Sequence, residues 1–389
     1  MRFDVMLTTA QRPGLEQNEV FTNAVETAGW AEELGYRGIW MLEHHFTRYG
    51  LCNSAITMAA YLLGRTRTLR VGSAITIVPL EHPVKLAERV AMIDQLSGGR
   101  FDFGVGRGTY VRDFEAFGAD MSVNHLTFLQ TMKDVLRAWS DEPYTVQGAA
   151  GRTLAALPVN PRPLTRPHPP VFVASNSPDT VSWAASHGFP LLLREGLDDA
   201  FKRKLVDQYR QARPDAGRAG AEVRHALNCV AVLDDCDRRA RDTAHTHVEW
   251  WVAEGAATNG LLSNRHRLPN YRTYFEAVDA GRRAGTGDKG ALVDDMLALN
   301  LVGSPQRCRA RLEEVCETTG VRHVVLGFDA NEPGPRTREV MERFMAEVLR
   351  PVAARYPEAP GQAQQRTDGA GPPPHADARP ANRTEGAAR

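Results

Sequence analysis

Short apolar runs, often rich in β-branched residues, alternate along this chain with longer stretches whose apolar residues recur every three to four positions. The first run, Arg2–Leu7, reads as a buried strand, and the stretch Glu19–Leu34 places its apolar residues along one helix face. The alternation continues through most of the chain. Eight strands, each followed by a helix, are typical of a (β/α)8 TIM barrel, so we predict an α/β fold of that type.

The predicted strands are the apolar runs Arg2–Leu7, Gly38–Leu42, Leu69–Val78, Phe101–Val105, Val171–Ser175, Phe189–Leu193, Arg224–Leu233 and His323–Phe328. The predicted helices are Glu19–Leu34, Ser54–Gly64, Val84–Leu96, Leu126–Trp139, Pro178–His187, Asp199–Ala212, Arg238–Ala253 and Thr337–Val352. This pattern predicts one barrel domain over residues 1–355.

Three segments depart from the simple alternation. Ser140–Pro170 is proline-rich and reads as an excursion before the fifth strand. Ala256–Leu297, before the eighth strand, is long, charged and contains glycines, which is typical of a lid over a barrel mouth. Residues 356–389 form a Pro/Gly/Ala-rich tail, and from Pro357 onward it has no Leu, Ile, Val, Phe, Tyr or Trp. Such a segment cannot bury a core, so we predict that it is disordered.

Composition narrows the class of protein further. The chain has 389 residues and a formal net charge of zero, which argues against nucleic acid or an anionic membrane as the main partner. Its five cysteines form no CxxC pair, a pattern typical of reduced thiols in a cytoplasmic protein. The N-terminus does not resemble a signal peptide, and no apolar run approaches the roughly 18 residues of a membrane span. We therefore expect a cytoplasmic enzyme.

Two adjacent histidines, His44 and His45, follow the second predicted strand. Active sites of TIM barrels lie at the C-terminal ends of the strands, where a histidine can act as a base or acid near neutral pH. The alternative is that these histidines only complete hydrogen bonds in the loop. The chain has no HxH or HExxH spacing joined to carboxylates, and the HxH pair His245 and His247 would lie on different faces of a helix at the surface. We predict no metal site.

Two further segments could bind an anion at the same rim. Arg107 stands among the glycines of Gly104–Gly108, where backbone can approach a ligand and a guanidinium can grip phosphate oxygens. After the fifth strand, Ser177 is the predicted N-cap and Pro178 the first residue of a helix, whose free N–H groups attract anions. The hydroxyls of Ser177 and Thr180 could add donors. Each segment also has a purely structural reading, as a surface ion pair or a plain cap, but on neighbouring strands the two could clamp one phosphate.

Longer segments resemble a known family. They are LEHHF at residues 42–46, VGSAITIVPLEHPVKLAERVAMIDQLSGGRFDFGVGRG at 71–108, PVFVASNSPDTVSWAASHGFP at 170–190, and NLVGSPQRC with GFDAN near the C-terminal end. Together they resemble the bacterial luciferase family of flavin-dependent monooxygenases over Met1–Arg350. The chain is most similar to the catalytic luciferase subunit, because it keeps the histidine pair and the long segment before the last strand.

The resemblance implies a TIM barrel that binds reduced FMN at the C-terminal ends of its strands. It implies that His44 moves protons, with His45 in support. It assigns the phosphate to Arg107, Asn176, Ser177 and Thr180. It places Ala74 and Ile75 against the isoalloxazine ring, commonly through a non-proline cis peptide. Glu88 matches a carboxylate buried at the family's dimer interface, which implies a homodimer.

Two departures from luciferase bear on the substrate. Gly106 stands where the luciferase subunit has a reactive cysteine, which would leave more room beside the flavin. Arg194-Glu195-Gly196 is polar where luciferase is aromatic and apolar. We therefore expect, in place of a long-chain aldehyde, an aromatic or polyketide-type intermediate of secondary metabolism. The bond oxidised stays open among hydroxylation, epoxidation and Baeyer–Villiger insertion.

The resulting prediction is a two-component monooxygenase that uses O2 and reduced FMN supplied by a separate flavin reductase. Its expected partners are a small-molecule substrate, the reductase as a diffusive supplier and a second copy of the chain. One alternative is a deazaflavin-dependent oxidoreductase on the same barrel, which would transfer hydride without oxygen. Another is a non-catalytic flavin-binding partner subunit, against which the retained His44, Arg107 and lid segment argue.

Overall fold

The computed structural model describes residues 1–147, 153–213, 223–259 and 289–356. Its strands are β1 (Arg2–Leu7), β2 (Gly38–Met41), β3 (Arg70–Ser73), β4 (Thr76–Ile77), β5 (Phe101–Gly106), β6 (Tyr144–Gln147), β7 (Thr153–Leu157), β8 (Val171–Ala174), β9 (Leu192–Leu193), β10 (Ala226–Leu233), β11 (Leu301–Gly303) and β12 (His323–Gly327). The lid residues 260–288 and the tail from Pro357 onward lie outside the described residues, so both stay predictions.

The strands form a closed parallel ring. β1 pairs with β2 on one side and with β12 on the other. β2 pairs with β3, β3 with β5, and β5 with β8. A bridge between Val173 and Leu191 joins β8 to the segment entering β9, β9 pairs with β10, and β10 pairs with β12. Eight strands thus close a barrel within the described residues, and the predicted TIM-barrel fold is confirmed.

Helices connect successive strands on the outside of the ring. They are α1 (Gln17–Leu34), α2 (Ala55–Arg65), α3 (Pro83–Ser97), α4 (Val111–Ala116), α5 (Asn124–Trp139), α6 (Pro178–Ser186), α7 (Asp199–Ala212), α8 (Asp237–Asn259), α9 (Lys289–Leu299), α10 (Pro305–Thr319), α11 (Pro335–Arg343) and α12 (Arg350–Ala354). A π-helical segment, Phe344–Leu349, joins the last two. The largest apolar cluster lies between this helical layer and the outer faces of the strands.

The elements differ from the predicted ones in several places. Helix α4 was not predicted, and α9 occupies the last part of the predicted lid. The predicted third strand, Leu69–Val78, is two short strands, β3 and β4, separated by a cis peptide between Ala74 and Ile75. The excursion before the fifth strand contains the antiparallel pair of β6 and β7. β11 and α10 were not predicted, although Ser304 caps α10 and Pro305 begins it, which is a readable helix start. The three-residue β11 is too short to stand out in the sequence.

A buried charge network closes the N-terminal end of the barrel. The Asp4 carboxylate pairs with Arg2 at 2.6 Å and accepts hydrogen bonds from Trp40 Nε1 and His323 Nε2, both at 2.8 Å. Arg2 also pairs with Asp102 at 3.0 Å. Because water cannot reach these groups, each charge depends on its partners for solvation. Within the described residues this network fills the N-terminal end of the barrel.

Candidate active site

His44 lies just beyond β2 with its ring between two tyrosines. Its backbone N–H donates to Cys52 O at 2.9 Å, and its ring centroid lies 4.5 Å from that of Tyr49 and 5.2 Å from that of Tyr110, nearly parallel to the latter. Burial, together with a smaller effect of the neighbouring His45, lowers the pKa of His44 to about 3. Its Nε2 is buried and has no hydrogen-bond partner among the described residues. The imidazole is therefore neutral near pH 7 and presents an unsatisfied ring nitrogen.

His45 has different surroundings. Its ring packs edge-on against Phe117, with a centroid distance of 4.8 Å, and lies beside Phe46. Both phenylalanines are about half exposed. Burial lowers the pKa of His45, while Glu81 raises it. The two adjacent histidines thus lie in different environments, because successive side chains at a strand end point in different directions. Of the two, His44 has its ring between the tyrosines.

Glu43 ties the start of the histidine loop to two other elements. One carboxylate oxygen accepts from Ile77 N at 3.0 Å, in β4, and the other accepts from Ala55 N at 2.9 Å, at the start of α2. The side chain is buried, and burial raises its pKa to about 7 against the lowering effect of the two backbone donors. This residue was not predicted from the sequence, because its partners are backbone groups of segments far along the chain.

The cis peptide between Ala74 and Ile75 sits at the mouth of the barrel. Ala74 and Leu42 pack on a cluster inside the ring that includes Trp40 and Phe172. Gly72 lets the Trp40 ring approach, because a Cβ at Gly72 would lie 2.6 Å from that ring. The small residues of the third strand therefore serve dense interior packing, and Ala74 with Ile75 forms a surface above this apolar floor, which we call the platform.

Gly106, at the end of β5, lies directly against the platform. A Cβ at this position would overlap Ile75 Cδ1 and would lie 3.2 Å from Ile75 Cγ1. The room that we expected a glycine to leave is therefore filled by the Ile75 side chain, and that expectation was wrong.

The predicted anion site is assembled from β5, α5 and α6. Ser177 is the N-cap of α6 and Pro178 its first residue, as predicted, and the Ser177 side chain makes no capping hydrogen bond. Thr180, in the first turn, is fully buried, and its hydroxyl lies 3.4 Å from His125 Nδ1. Burial lowers the pKa of His125, and Arg107 lowers it further, so the guanidinium lies close to the imidazole. Three donor-bearing side chains and a helix N-terminus converge here.

The remaining predicted residues lie at the edge of this anion site. Asn176 stands in the loop between β8 and α6, and the Ser177 N–H donates to Ser175 Oγ at 3.0 Å. His125 was not predicted, because it belongs to a helix face with no motif around it. A guanidinium, an imidazole, a hydroxyl and helix N–H groups are the donors that a phosphate needs.

A polar pair joins the segment after β9 to the inner face of β10. Asn228 Nδ2 donates to Glu195 Oε2 at 2.8 Å, and Glu195 is 8% exposed. Asn300 secures the pair from behind, since its Oδ1 accepts from Val230 N at 2.7 Å and its Nδ2 donates to Glu195 O at 3.3 Å. The polarity that the sequence indicated at Arg194–Gly196 is therefore built into the wall of the mouth.

In the described part of the chain, no group of three or more His, Cys, Asp or Glu side chains is arranged to hold a metal ion. His247, expected at the surface, is instead partly buried, and burial lowers its pKa to about 4. Of the helices described, none combines the length and apolar composition that a bilayer crossing requires.

The profile of the luciferase-like monooxygenase family matches residues 1–323. The chain is 29% identical over 349 residues to the alkanal monooxygenase alpha chain of the Kryptophanaron alfredi symbiont, covering 90% of this chain and 98% of that one. It superposes on a Streptomyces bottropensis monooxygenase with a TM-score of 0.74 at 24% identity, over 90% of this chain and 99% of the other. The chain belongs to the luciferase-like monooxygenase family, as the sequence motifs predicted.

Other solved structures share the fold with different cofactors in their descriptions. The oxygenating constituent of the Pseudomonas putida 3,6-diketocamphane monooxygenase, a type II Baeyer–Villiger enzyme in complex with FMN, gives a TM-score of 0.70 at 18% identity, covering 90% of this chain and 98% of that one. An F420-dependent secondary alcohol dehydrogenase gives 0.67 at 17% identity, covering 90% and 98%. At these identities the likeness establishes the barrel only, so the site itself must decide between the cofactors.

Proposed function

We propose that this protein is a monooxygenase that uses reduced FMN and O2 to oxygenate a small organic molecule. The observation that carries the proposal is the anion site, where Arg107, His125 and Thr180 converge beside the N-terminus of α6. This donor set suits the terminal phosphate of FMN. Asn176 and Ser177 stand at its edge and would complete it.

The remaining site residues fit the rest of the same cofactor. The platform of Ala74 and Ile75 offers an apolar surface suited to a flat ring system, with Gly106 beneath Ile75. When bound, reduced flavin supplies the electrons that activate oxygen. Around it, Trp40 and Phe172 keep the floor of the mouth dry, and the Arg2–Asp4 network closes the barrel below. Excluding water protects a reactive site from side reactions.

His44 is the proton-transfer group in this proposal. Its Nε2 is buried and has no hydrogen-bond partner among the described residues, and burial lowers the pKa so that the ring is neutral near pH 7. Because a low pKa makes the ring a weak base, we propose that it takes up a proton only transiently, from a ligand group at Nε2. Tyr49 and Tyr110 fix the ring plane from two sides. His45, packed on Phe117, supports the loop and does not share this environment.

We propose a substrate that is larger and more polar than an aliphatic aldehyde, in the class of aromatic or polyketide-type intermediates. The Glu195–Asn228 pair on the wall of the mouth supports this, because a purely aliphatic ligand would leave the buried Oδ1 of Asn228 without a donor. The aromatic rings of Tyr49, Tyr110 and Trp251 offer stacking surfaces; Tyr49 and Trp251 have centroids 5.4 Å apart.

We also propose that a separate flavin reductase supplies reduced FMN and that the chain is a homodimer. The α2–α3 face supports the dimer, because it exposes Tyr61, Met92 and Leu96 beside Glu88; Leu96 is 76% exposed. Exposed apolar clusters of this kind are typical of protein interfaces. Light scattering of the purified protein tests the dimer directly.

The decisive experiment compares cofactors. The protein is titrated anaerobically with reduced FMN and with reduced deazaflavin, and then supplied with O2, NADH and a flavin reductase. We expect tight binding of reduced FMN and transfer of one oxygen atom to an aromatic test substrate. Preferential binding of deazaflavin with no oxygen consumption would favour the oxidoreductase alternative. That alternative is the main rival, because the chain shares its fold with an F420-dependent dehydrogenase. Binding of flavin without any turnover would favour a non-catalytic subunit.

A further inference from the structure

We propose that Asn228, oriented by Glu195, is an acceptor site in the barrel mouth for an N–H or O–H group of a bound ligand. The proposal rests on the proposed flavin-dependent function and specifies the chemistry of what binds there. Two sources could supply the donor: a hydroxyl or N–H of the substrate, or the N–H of the flavin ring. Both present the same polarised hydrogen to the same oxygen.

Strand geometry places Asn228 inside the barrel. Ala226 packs in the interior cluster with Phe172, whereas Leu227 and Cys229 pack in the outer core under the helices. Because side chains alternate along a strand, Asn228 shares the inward face with Ala226, one step nearer the C-terminal rim. It therefore projects into the mouth just above the floor on which Ala74 rests.

The orientation of the amide is set by its neighbour. Asn228 Nδ2 donates to Glu195 Oε2 at 2.8 Å, and a carboxylate oxygen can only accept. A flipped amide would place two acceptors face to face, so Oδ1 must point away from Glu195. That Oδ1 is buried and has no hydrogen-bond partner among the described residues. An unsatisfied buried acceptor costs about 1–3 kcal/mol, which a ligand donor would recover.

Asn228 is linked to the surroundings of His44 through Glu195 and Tyr49. Tyr49, whose ring lies 4.5 Å from His44, has its pKa raised chiefly by burial, then by Tyr110 and by Glu195. Glu195 therefore lies within electrostatic reach of the tyrosine that contacts His44. A ligand held by Asn228 would sit across the mouth from the proposed proton-transfer group.

This geometry selects among ligands. A hydroxyl or N–H satisfies Oδ1, whereas an ether or ester oxygen would face the acceptors of both Asn228 and Glu195 and be repelled. We therefore expect phenols to bind better than their methyl ethers. One recovered hydrogen bond, at about 1.4 kcal/mol, corresponds to about a tenfold difference in affinity.

The test uses two matched probe pairs on the full-length protein. Binding of 2-naphthol and 2-methoxynaphthalene to the FMN-loaded protein is measured by equilibrium dialysis. Binding of FMN and 3-methyl-FMN, which lacks the ring N–H, is measured by fluorescence quenching. Both pairs are repeated with Asn228→Leu and with the control Val230→Ala, which changes an apolar residue on the same face of β10. Thermal melting verifies that each variant folds.

If the substrate supplies the donor, the wild-type protein prefers 2-naphthol about tenfold, Asn228→Leu removes the preference, and FMN affinity is unchanged. If the flavin supplies it, Asn228→Leu weakens FMN about tenfold, and 3-methyl-FMN binds the wild type equally weakly. Either result supports the acceptor site, and equal affinities within both pairs overturn it. If Asn228→Leu does not fold, the affinities of the two probe pairs for the wild-type protein still test the proposal. A protein that binds no FMN refutes the proposed function, while the naphthol pair, then measured on the flavin-free protein, still tests Asn228.

Discussion

A single methyl group added at position 106 tests the packing of the platform. A Cβ on Gly106 would overlap Ile75 Cδ1 and come within 3.2 Å of Ile75 Cγ1. The obstacle is the end of a side chain, so we expect Gly106→Ala to fold with Ile75 displaced, at a cost of about 1–3 kcal/mol in the free energy of unfolding. Because Ile75 is the proposed resting surface of the flavin ring, we expect FMN to bind about tenfold more weakly, or about 1.4 kcal/mol.

The assay is a double-mutant cycle read by denaturant unfolding and by quenching of FMN fluorescence. Ile75→Ala removes the atoms that clash, so the double variant should recover both the stability and the affinity lost by Gly106→Ala, with a coupling energy of about 1 kcal/mol or more. Gly29→Ala is the matched control. Gly29 lies within α1 and a Cβ there would meet no atom within 4 Å, so alanine should stabilise the helix by about 0.5–1 kcal/mol without changing FMN affinity.

Two results would refute this reasoning. If Gly106→Ala keeps wild-type stability and FMN affinity, the platform is not packed as described. If Gly106→Ala loses affinity but Ile75→Ala does not restore it, the loss comes from another contact, and Ile75 is not the link between the glycine and the flavin.

Three further predictions concern the phosphate site, the floor of the barrel and Glu43. His125→Ala should weaken FMN about tenfold or more but leave riboflavin, which lacks the phosphate, unchanged; equal losses for both ligands in fluorescence titrations would remove His125 from the phosphate site. Asp4→Asn should lower the free energy of unfolding by about 3–5 kcal/mol, measured with urea, because it leaves Arg2 and His323 facing a neutral amide; a loss below about 1 kcal/mol would contradict the role of this network. Burial raises the pKa of Glu43 to about 7, so the folded state holds its proton more tightly than the unfolded state, and the wild type should lose stability relative to Glu43→Gln as the pH rises from about 4.5 to about 7, by up to about 1.4 kcal/mol per pH unit. If the free energies of unfolding of the two proteins change by the same amount across that pH range, Glu43 does not titrate in this way.

The parts of the fold that could be predicted are those encoded locally. β1 occupies Arg2–Leu7 as predicted, and α7 occupies Asp199–Ala212, because both are strongly patterned and end at clear polar boundaries. β9 is shorter than the predicted Phe189–Leu193, since only Leu192 and Leu193 pair as a strand. Strand length depends on how neighbours pair, which local pattern does not contain.

The site divides in the same way. The sequence indicated the positions of His44, Arg107 and Ser177, because strand ends, glycine turns and helix caps are local features. It missed His125, Asn228 and the anchoring role of Glu43. Each of these acts through partners tens of residues away: Asn228 meets Glu195, and Glu43 meets the backbone of Ile77 and Ala55. No spacing rule connects such residues.

By itself, the sequence determined the alternation of strands and helices, the family and the residues at the rim, because periodicity and capping depend on chemistry within a few neighbours. Only the tertiary structure decided how that rim is filled. It placed Ile75 in the space beside Gly106 and brought His125 to Thr180. It also buried Asn228 Oδ1 and His44 Nε2 where no described residue is their hydrogen-bond partner. Closing the ring brings together strands that are far apart in sequence. The packing and the hydrogen bonding of polar groups at the mouth are therefore properties of the closed barrel and not of any one segment.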